Sequence, residues 1–293
     1  MPRDRPAHGR WPSAATTVVG VIGDPVDHSL SPLLHNTAFG SLGLDWVSVG
    51  FRVPPGATRS AVAAVRDLGL AGLSVTMPHK SAMAELVDEL DPVARRLGAV
   101  NCCVRRGSDV IGINTDGSGF LDALRRSSGV EPRGRTCLVA GAGGAARAVV
   151  LALAEAGAAR VVVVARDRAR AKATAELAGA VGVAATVEEA ARLAGGADLV
   201  VNATPVGMIG GPAEEQPPLV PADLLGADQV VSDLVYHPRV TPWLEEAGRR
   251  GATVSGGLGM LVHQAAVQLE RWTGMAVPVE AMWRAAEEAE GSR

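Results

Sequence analysis

The chain has 293 residues, a net charge of −3, and apolar and charged fractions of 47% and 20%. Its length is enough for a large buried core and favours two domains over one, and its charge argues against nucleic-acid or anionic-membrane partners. The three cysteines have neither the number nor the spacing of a disulfide framework or a zinc site, and no apolar run approaches the ~18 residues of a membrane span.

The N-terminal part of the chain alternates between short β-rich runs and helical patterns. The apolar stretch at residues 16–22 follows several arginines but runs directly into the turn Gly23-Asp24-Pro25. It is therefore typical of a first strand and not of a secretory signal, and we expect a cytoplasmic protein. Further strands are predicted at residues 46–53 and 70–75, with a hairpin at 100–105 and 110–113. Helices are predicted at residues 32–41, 57–68 and 81–97. This alternation predicts an α/β fold with a mainly parallel sheet.

A second alternating series follows the polar stretch at residues 125–135, which contains Gly129 and Pro132 and indicates a domain boundary. Its predicted strands are residues 136–140, 160–165, 183–185, 199–202, 229–234 and 253–255. Its predicted helices include one from the glycine-rich turn after residue 140 to about residue 156, and two near the C-terminus at residues 258–272 and 279–290.

The turn after the first strand of this series has the pattern of a dinucleotide-binding loop. The segment Gly141-Ala142-Gly143-Gly144-Ala145-Ala146 matches G-x-G-x-x-A between a predicted strand and a predicted helix. Glycines let the backbone turn tightly and approach a pyrophosphate, whose charge meets the helix N-terminus. A glycine-rich turn without a ligand is the alternative interpretation. The pattern predicts a Rossmann-type, doubly wound parallel sheet.

The end of the next predicted strand indicates which dinucleotide binds. Arg166, Arg168 and Arg170 form a cationic cluster suited to the 2′-phosphate of NADP. Asp167 lies among them and could instead accept hydrogen bonds from the ribose of NAD. Its alternative role is the N-cap of the following helix. We predict NADP as the cofactor, and NAD remains open.

One of the two lysines in the chain, Lys80, lies in Val75-Thr76-Met77-Pro78-His79-Lys80. Arginine keeps its proton at physiological pH, whereas a lysine can be tuned to release one. Lys80 is therefore a candidate proton donor. A solvated lysine in the first turn of a helix is the alternative.

Seven sequence blocks, in order and across nearly the whole chain, resemble signatures of the shikimate dehydrogenase family. They are residues 23–36 (GDPVDHSLSPLLHN), 75–80 (VTMPHK), 98–101 (GAVN), 114–117 (NTDG), 202–208 (NATPVGM), 233–236 (DLVY) and 257–266 (GLGMLVHQAA). The resemblance implies NADP-linked reduction of 3-dehydroshikimate to shikimate. It also implies a split substrate domain, residues 1–118 and 258–293, around an NADP-binding domain, residues 119–257.

The resemblance further implies a set of site residues. Two serines would bind the substrate carboxylate, and the other polar residues would surround the ring. This substrate set is Ser29, Ser31, Thr76, Lys80, Asn101, Asp116, Tyr236 and Gln264. The implied cofactor set is Gly141, Ala142, Gly143, Gly144, Ala145, Arg166, Arg168, Arg170, Thr204, Leu234, Gly257 and Met260.

Several of these positions also have a plainer explanation. Ser31 precedes a proline and would be a good helix N-cap, although capping does not explain Ser29. Asn101 and Asp116 lie at the ends of the predicted hairpin, where turn or capping roles are common. Both roles are compatible with the residue types, so the alternatives stay open.

Two further substrate residues depend more heavily on the resemblance. Tyr236 follows a predicted strand and would point into the crevice where α/β proteins bind ligands, but it could also pack in a core. Gln264 lies off the apolar stripe of its predicted helix and would ordinarily be exposed to water. Met260, one turn earlier on the same flank, would face the nicotinamide.

The expected reaction needs an acid, because hydride arriving at a ketone leaves an alkoxide that must be protonated. The resemblance makes Lys80 that acid, with Asp116 orienting it. A free lysine has a pKa of ~10.4, and a neighbouring carboxylate alone would raise that pKa further. Burial or a protonated His79 would have to lower it. His79 and His28 are rival donors, since histidine titrates in a suitable range.

Four positions depart from the family pattern, namely Ser74, Ala165, Leu234 and Gly256. These departures concern cofactor affinity and substrate specificity. They do not affect Lys80 and Asp116, the residues expected to transfer the proton.

Three competing hypotheses remain. An NAD-preferring quinate/shikimate dehydrogenase is kept open by Asp167. A methylenetetrahydrofolate dehydrogenase would not explain the Ser29 and Ser31 pair. A non-catalytic NADP-binding regulatory protein is disfavoured because Lys80 and Asp116 are both present. We expect a monomer or homodimer that acts on a small molecule without a metal, a nucleic acid or a membrane.

Overall fold

A computed structural model describes residues 12–211 and 213–291. The described chain forms two compact units. Unit 1 comprises the described residues up to Thr115 together with those from Ala265 onward, and unit 2 is Asp116–Gln264. Unit 2 thus extends beyond the predicted 119–257 at both ends. The residues at the two ends of unit 2 pack closely against each other, because a methyl group added to Gly119 would lie 2.5 Å from the backbone nitrogen of Gln264. This close packing places both ends in the same unit.

The sheet of unit 1 is mixed. Its strands are β1 (Thr17–Gly23), β2 (Trp46–Arg52), β3 (Gly72–Val75), β4 (Glu89–Leu90), β5 (Cys102–Arg106) and β6 (Asp109–Ile113). They lie in the order β2-β1-β3-β5-β6-β4. The pairs β1–β2, β1–β3 and β4–β6 are parallel, whereas β3–β5 and β5–β6 are antiparallel.

The helices that belong wholly to unit 1 are α1 (Ser31–Ser41), α2 (Thr58–Asp67), α3 (Lys80–Leu86), α4 (Pro92–Leu97) and α11 (Val279–Gly291). The single helix predicted over residues 81–97 is therefore wrong. The chain leaves the helix after Leu86, pairs β4 with β6, and begins again at Pro92. Asp91 starts the second helix because its carboxylate accepts a hydrogen bond from the Ala94 amide at 2.6 Å.

Unit 2 contains a fully parallel sheet. Its strands are β7 (Thr136–Ala140), β8 (Arg160–Val164), β9 (Gly182–Ala185), β10 (Leu199–Asn202), β11 (Val230–Asp233) and β12 (Thr253–Ser255). Their order is β12-β11-β10-β7-β8-β9. The chain therefore builds outward in one direction from β7 and then in the other from β10, which is the doubly wound arrangement. The α/β prediction with a Rossmann-type second domain is confirmed.

The helices of unit 2 cover both faces of this sheet. They are α5 (Asp116–Ser128), α6 (Gly144–Glu155), α7 (Arg168–Ala175), α8 (Val187–Ala194) and α9 (Pro242–Arg249), and α10 (Leu258–Thr273) begins in this unit and ends in unit 1. Alternate residues of β7 face two different cores. Cys137 and Val139 join one cluster and Leu138 and Ala140 join the other, as expected for a parallel sheet that is buried on both faces.

The sequence pattern does not predict helix α5, because its C-terminal half is polar and has the composition of a domain boundary. Phe120 and Leu124 nevertheless lie on one face and are each 1% exposed, so the helix is amphipathic. None of the helices in the two described ranges is long and apolar enough to cross a membrane.

Candidate active site

A cavity of about 280 Å³ opens in unit 2 at the carboxyl ends of β7, β8 and β10. This is the place where the strand order reverses, and α/β proteins commonly bind ligands there. We call it the nucleotide cavity. Its walls come from the glycine loop, the end of β8 and the segment after β10. The lining residues are Gly141, Ala142, Gly143, Ala165, Arg166, Asp167, Arg170, Ala203, Thr204, Pro205 and Leu219.

The glycine loop has the geometry of a pyrophosphate site. Gly141 has a φ of 122°, and a methyl group there would lie 2.7 Å from the Ala203 carbonyl oxygen, so only glycine is tolerated. Gly143 is the N-cap of α6 and provides no side-chain cap. A methyl group on Gly143 or Gly144 would meet no atom within 4 Å. The start of α6 therefore has no side-chain cap, and its glycines leave open space for a ligand, which suits an anion.

The arginine cluster is divided by the fold. Arg166 and Arg170 line the nucleotide cavity, whereas Arg168 is not among the described lining residues. Asp167 is the N-cap of α7, and its Oδ1 accepts hydrogen bonds from the amides of Ala169 at 2.9 Å and Arg170 at 3.1 Å. The capping role proposed as the alternative for Asp167 is therefore the one observed. Its presence in the sequence does not by itself argue for NAD.

The ends of β10 and β11 are joined by buried hydrogen bonds. The Asn202 amide donates to Oδ1 of Asp233 at 2.9 Å, and its oxygen accepts from the Thr204 hydroxyl at 2.6 Å. Asp233 also accepts from the Thr241 hydroxyl at 2.7 Å and from the Val235 amide at 3.0 Å. Burial raises the pKa of Asp233 from 3.8 to about 6, although these three donors oppose the rise. Sequence analysis did not predict this network.

Gly257, Leu234 and Met260 form the other edge of the predicted cofactor set. A methyl group on Gly257 would clash with the Leu234 carbonyl oxygen, so the loop before α10 packs directly on the backbone after β11. Leu234 and Met260 are half-buried and pack against the same core cluster of unit 2. Their positions follow from this close approach of two backbone segments.

In unit 1, the predicted carboxylate site lies at the start of α1. The expected N-cap role of Ser31 is wrong, because the helix begins at Ser31 itself and Leu30 occupies the N-cap without a side-chain bond. Ser31 is 5% exposed, and its backbone amide donates to Oγ of Ser29 at 3.3 Å. Within residues 12–211 and 213–291 the Ser31 hydroxyl has no recorded hydrogen bond. Helix capping therefore does not explain Ser31, whereas the Ser29 oxygen accepts from the first amide of α1 and its hydroxyl proton stays available.

Lys80 is the first residue of α3 and is half-buried, as is Thr76 after β3. Between them, His79 is 1% exposed. Its Nδ1 lies 3.0 Å from the Thr58 hydroxyl, and its Nε2 donates to the Val53 carbonyl at 2.8 Å. Both ring nitrogens are thus engaged with neighbouring backbone and side-chain groups. This argues against His79 as a proton donor, whereas His28 is exposed on the loop before α1.

Asn101 connects the Lys80 region to Thr115. The Val100 amide donates to the Lys80 carbonyl at 2.9 Å. The next residue, Asn101, accepts from the Thr115 amide at 2.8 Å and donates to the Thr115 hydroxyl at 3.0 Å. Asp116 follows directly in the chain and is 5% exposed. This contact spans 14 residues and is therefore not the local turn role considered for Asn101; it fixes the residue before Asp116.

Gln264 is buried, contrary to its expected exposure, with 8% of its surface accessible. Its Nε2 donates to the Leu261 carbonyl at 3.1 Å, and its backbone packs against Gly119 of α5. Tyr236 is half-buried beyond the end of β11. No group of three or more His, Cys, Asp or Glu in the described residues is placed to hold a metal ion.

Three family models match successive parts of the chain. The shikimate dehydrogenase substrate-binding domain matches residues 21–103, a shikimate/quinate 5-dehydrogenase model matches residues 124–208, and the shikimate 5′-dehydrogenase C-terminal domain matches residues 257–287. A shikimate dehydrogenase (NADP(+)) of Methanopyrus kandleri is 50% identical over 275 residues, which are 92% of this chain and 94% of that protein. The chain belongs to the shikimate dehydrogenase family. The resemblance drawn from the seven blocks is confirmed.

Solved structures of related dehydrogenases are similar to this chain in fold. The shikimate 5-dehydrogenase of Thermus thermophilus in complex with NADP(H) and shikimate is 38% identical, with a TM-score of 0.84 over 94% of this chain and 100% of that one. A quinate dehydrogenase of Corynebacterium glutamicum in complex with NAD is 29% identical, with a TM-score of 0.86 over 93% and 99%. The fold alone therefore does not separate the two activities, whereas sequence identity is higher to the shikimate enzymes.

Proposed function

We propose that this protein is an NADP-dependent shikimate dehydrogenase, which reversibly reduces 3-dehydroshikimate to shikimate. The observation that carries the proposal is the near-full-length match, at 50% identity, to a relative named for NADP(+). The quinate alternative is not favoured, because Asp167 has a helix-capping role and the NAD-bound quinate dehydrogenase is the more distant relative at 29% identity.

The nucleotide cavity fits NADP. The uncapped start of α6 and the open space before Gly143 and Gly144 suit the pyrophosphate. Arg166 and Arg170 place two guanidinium groups in the cavity wall for a 2′-phosphate. Bound NADPH would supply the hydride. Among the other predicted cofactor residues, Thr204 lines the cavity while Leu234 and Met260 present half-buried apolar side chains.

In unit 1, the Ser29 and Ser31 hydroxyls are the proposed donors to the substrate carboxylate. A hydroxyl can donate one hydrogen bond and accept two, and neither serine spends its hydroxyl proton on capping α1. We assign Thr76, Asn101, Tyr236 and Gln264 to the ring of the substrate. These assignments are supported by the family blocks and, for Ser31, by the fact that its side chain does not cap α1.

Lys80 is the proposed proton donor to the oxygen of the carbonyl being reduced, and Asp116 its orienting partner. The support is the series of contacts that begins at the Lys80 carbonyl, passes through Val100 and Asn101, and fixes Thr115. Asp116 follows Thr115 directly in the chain. The carboxylate would hold the ammonium group and a substrate hydroxyl, and Lys80 would donate its proton as charge develops on the oxygen.

The test compares the reduction of NADP and of NAD with shikimate and with quinate as substrates. The reaction is monitored by the absorbance of the NADPH or NADH formed. Shikimate with NADP should give the highest kcat/KM, and absence of turnover with that pair would refute the proposal. Lys80→Met should lower kcat by ~10²–10⁴-fold with little change in the KM for shikimate. Lys172→Met is the matched control, because Lys172 is the other lysine and lies exposed on α7.

We further propose a cytoplasmic enzyme that works as a monomer or a homodimer. The net charge of −3 supports a small-molecule substrate and no nucleic-acid or membrane partner. Size-exclusion chromatography with light scattering would distinguish the two assembly states.

A further inference from the structure

Arg166 is held by a residue that lies in none of the sequence blocks. Its Nη1 donates to Oε1 of Gln216 at 2.7 Å. Among residues 12–211 and 213–291, the Arg166 guanidinium makes this one hydrogen bond. The contact joins the end of β8 to the segment between β10 and the 3-10 turn at Ala222–Leu224. Both stretches contribute to the wall of the nucleotide cavity.

The segment that carries Gln216 is anchored on unit 2. The backbone amide of Gln216 donates to the Ala213 carbonyl at 3.1 Å, and Ala213 is 5% exposed. Upstream, the Ile209 amide donates to the His237 carbonyl at 3.1 Å. Downstream, Leu219 lines the nucleotide cavity. Gln216 is therefore presented to Arg166 from a turn that is closed by the bond to Ala213 and held upstream by the bond to His237.

The chemistry of the contact preserves the charge of Arg166. Gln216 follows two acids, Glu214 and Glu215, yet the side chain that reaches the guanidinium is the neutral amide. The Glu214 carboxylate instead accepts from the Gly210 amide at 2.8 Å within its own segment. An amide oxygen orients a guanidinium without cancelling its charge. Because Arg166 has five N–H groups and gives one to Gln216, the others are available for a bidentate phosphate contact.

We propose that Gln216 is a positioning residue for cofactor selection, which holds Arg166 so that its uncompensated charge meets the 2′-phosphate of NADP. This inference rests on the assignment of Arg166 to that phosphate under the proposed function. Gln216 acts through Arg166. Its effect therefore appears with cofactors and fragments that carry the 2′-phosphate and not with those that lack it.

Three variants test the proposal. Gln216→Ala removes the acceptor, and Gln216→Glu places a carboxylate on Arg166. The exchange Glu215→Gln with Gln216→Glu moves a carboxylate by one residue while the net charge stays constant. Each is measured for the KM of NADP and of NAD, and for the calorimetric Kd of adenosine 2′,5′-bisphosphate and of 5′-AMP, which needs no turnover.

Gln216→Ala should weaken NADP and the bisphosphate by about 2- to 10-fold, the range for loss of one hydrogen bond. Gln216→Glu and the charge-neutral exchange should each weaken them by about 10- to 100-fold, because a charged partner competes with the phosphate. Values for NAD and 5′-AMP should stay within about twofold of the unmodified enzyme. If the exchange behaves like the unmodified enzyme, only the local net charge matters and the proposal is overturned.

Arg166→Ala separates this inference from the function on which it rests. If that variant keeps the unmodified preference for NADP over NAD, the assignment of Arg166 fails and the role of Gln216 fails with it. If Arg166→Ala loses the preference while all Gln216 variants retain it, the contact is only structural and the proposal alone is overturned. In the Arg166→Ala background, Gln216→Glu should add no further loss, since the two residues act as one unit. A full additional loss would show that position 216 acts without Arg166.

Discussion

Replacing Asp233 with Asn should change how the stability of this enzyme depends on pH. Asp233 is 0% exposed at the end of β11, and burial raises its pKa from 3.8 to about 6. The folded protein thus binds the Asp233 proton more tightly than the unfolded chain does. The associated stabilisation is fully present below about pH 4 and is lost as pH rises through about 6.

The magnitude follows from the two pKa values. A rise from 3.8 to about 6 corresponds to ~3 kcal/mol, because each pH unit contributes ~1.36 kcal/mol. An Asn side chain has nearly the same shape and does not titrate. The free energy of unfolding of the unmodified protein, minus that of Asp233→Asn, should therefore fall by ~3 kcal/mol between about pH 4 and about pH 7.

Urea unfolding at several pH values measures this difference directly, provided that the slope with denaturant stays constant. Thr241→Val provides a second arm. The Thr241 hydroxyl donates to Asp233 and holds its pKa down, so its removal should shift the transition to higher pH. Parallel stability curves for the unmodified protein and Asp233→Asn would refute the reasoning, because they would show that Asp233 has the same pKa in both states.

Two further substitutions test the packing of unit 2. Gly119→Ala should destabilise the fold by about 1–3 kcal/mol through overpacking, because the new methyl group would lie 2.5 Å from the backbone nitrogen of Gln264. It should also raise the KM for shikimate more than that for NADP, whereas the control Gly195→Ala, with nothing within 4 Å, should change neither KM. Gln229→Leu should cost roughly 2–6 kcal/mol in urea unfolding, because the Gln229 amide donates to the buried carbonyls of Ala194 at 2.6 Å and Ala197 at 2.7 Å. A loss below ~1 kcal/mol would mean that water replaces the amide.

The strands were the most predictable part of the fold. Residues 136–140 and 199–202 are short β-branched and apolar runs next to turn residues, and β7 and β10 have those bounds. Such runs need no long-range information, because a strand that is buried on both faces is apolar throughout. Helix α5 was missed for the opposite reason. Its apolar face becomes evident only when Phe120 and Leu124 are seen against the core of unit 2.

The candidate site was predictable where a residue type has a local reason. The glycine loop is an example, since Gly141 adopts a positive φ beside the Ala203 carbonyl. Local rules failed where a tertiary contact decides. Ser31 has the pattern of an N-cap, but α1 begins one residue earlier than that pattern predicts.

Gln264 shows the same limit of local rules. Its place on the helix flank predicts exposure, but the glycine at position 119 allows α5 to cover it. Gln216 carries no sequence signal at all, because its partner Arg166 lies 50 residues away in the chain.

The contact between Gly119 and Gln264 also bears on the order in which the chain folds. These residues lie at the two ends of unit 2, so the folded insertion returns the chain to nearly the point where it left. An unfolded insertion of roughly 150 residues would cost unit 1 about 3 kcal/mol more in closure entropy than a connection of a few residues. Once unit 2 is folded, Thr115 and Ala265 are joined by what is in effect a short loop. The final helices, α10 and α11, can then complete unit 1 with little more entropic cost than if the chain had never been interrupted.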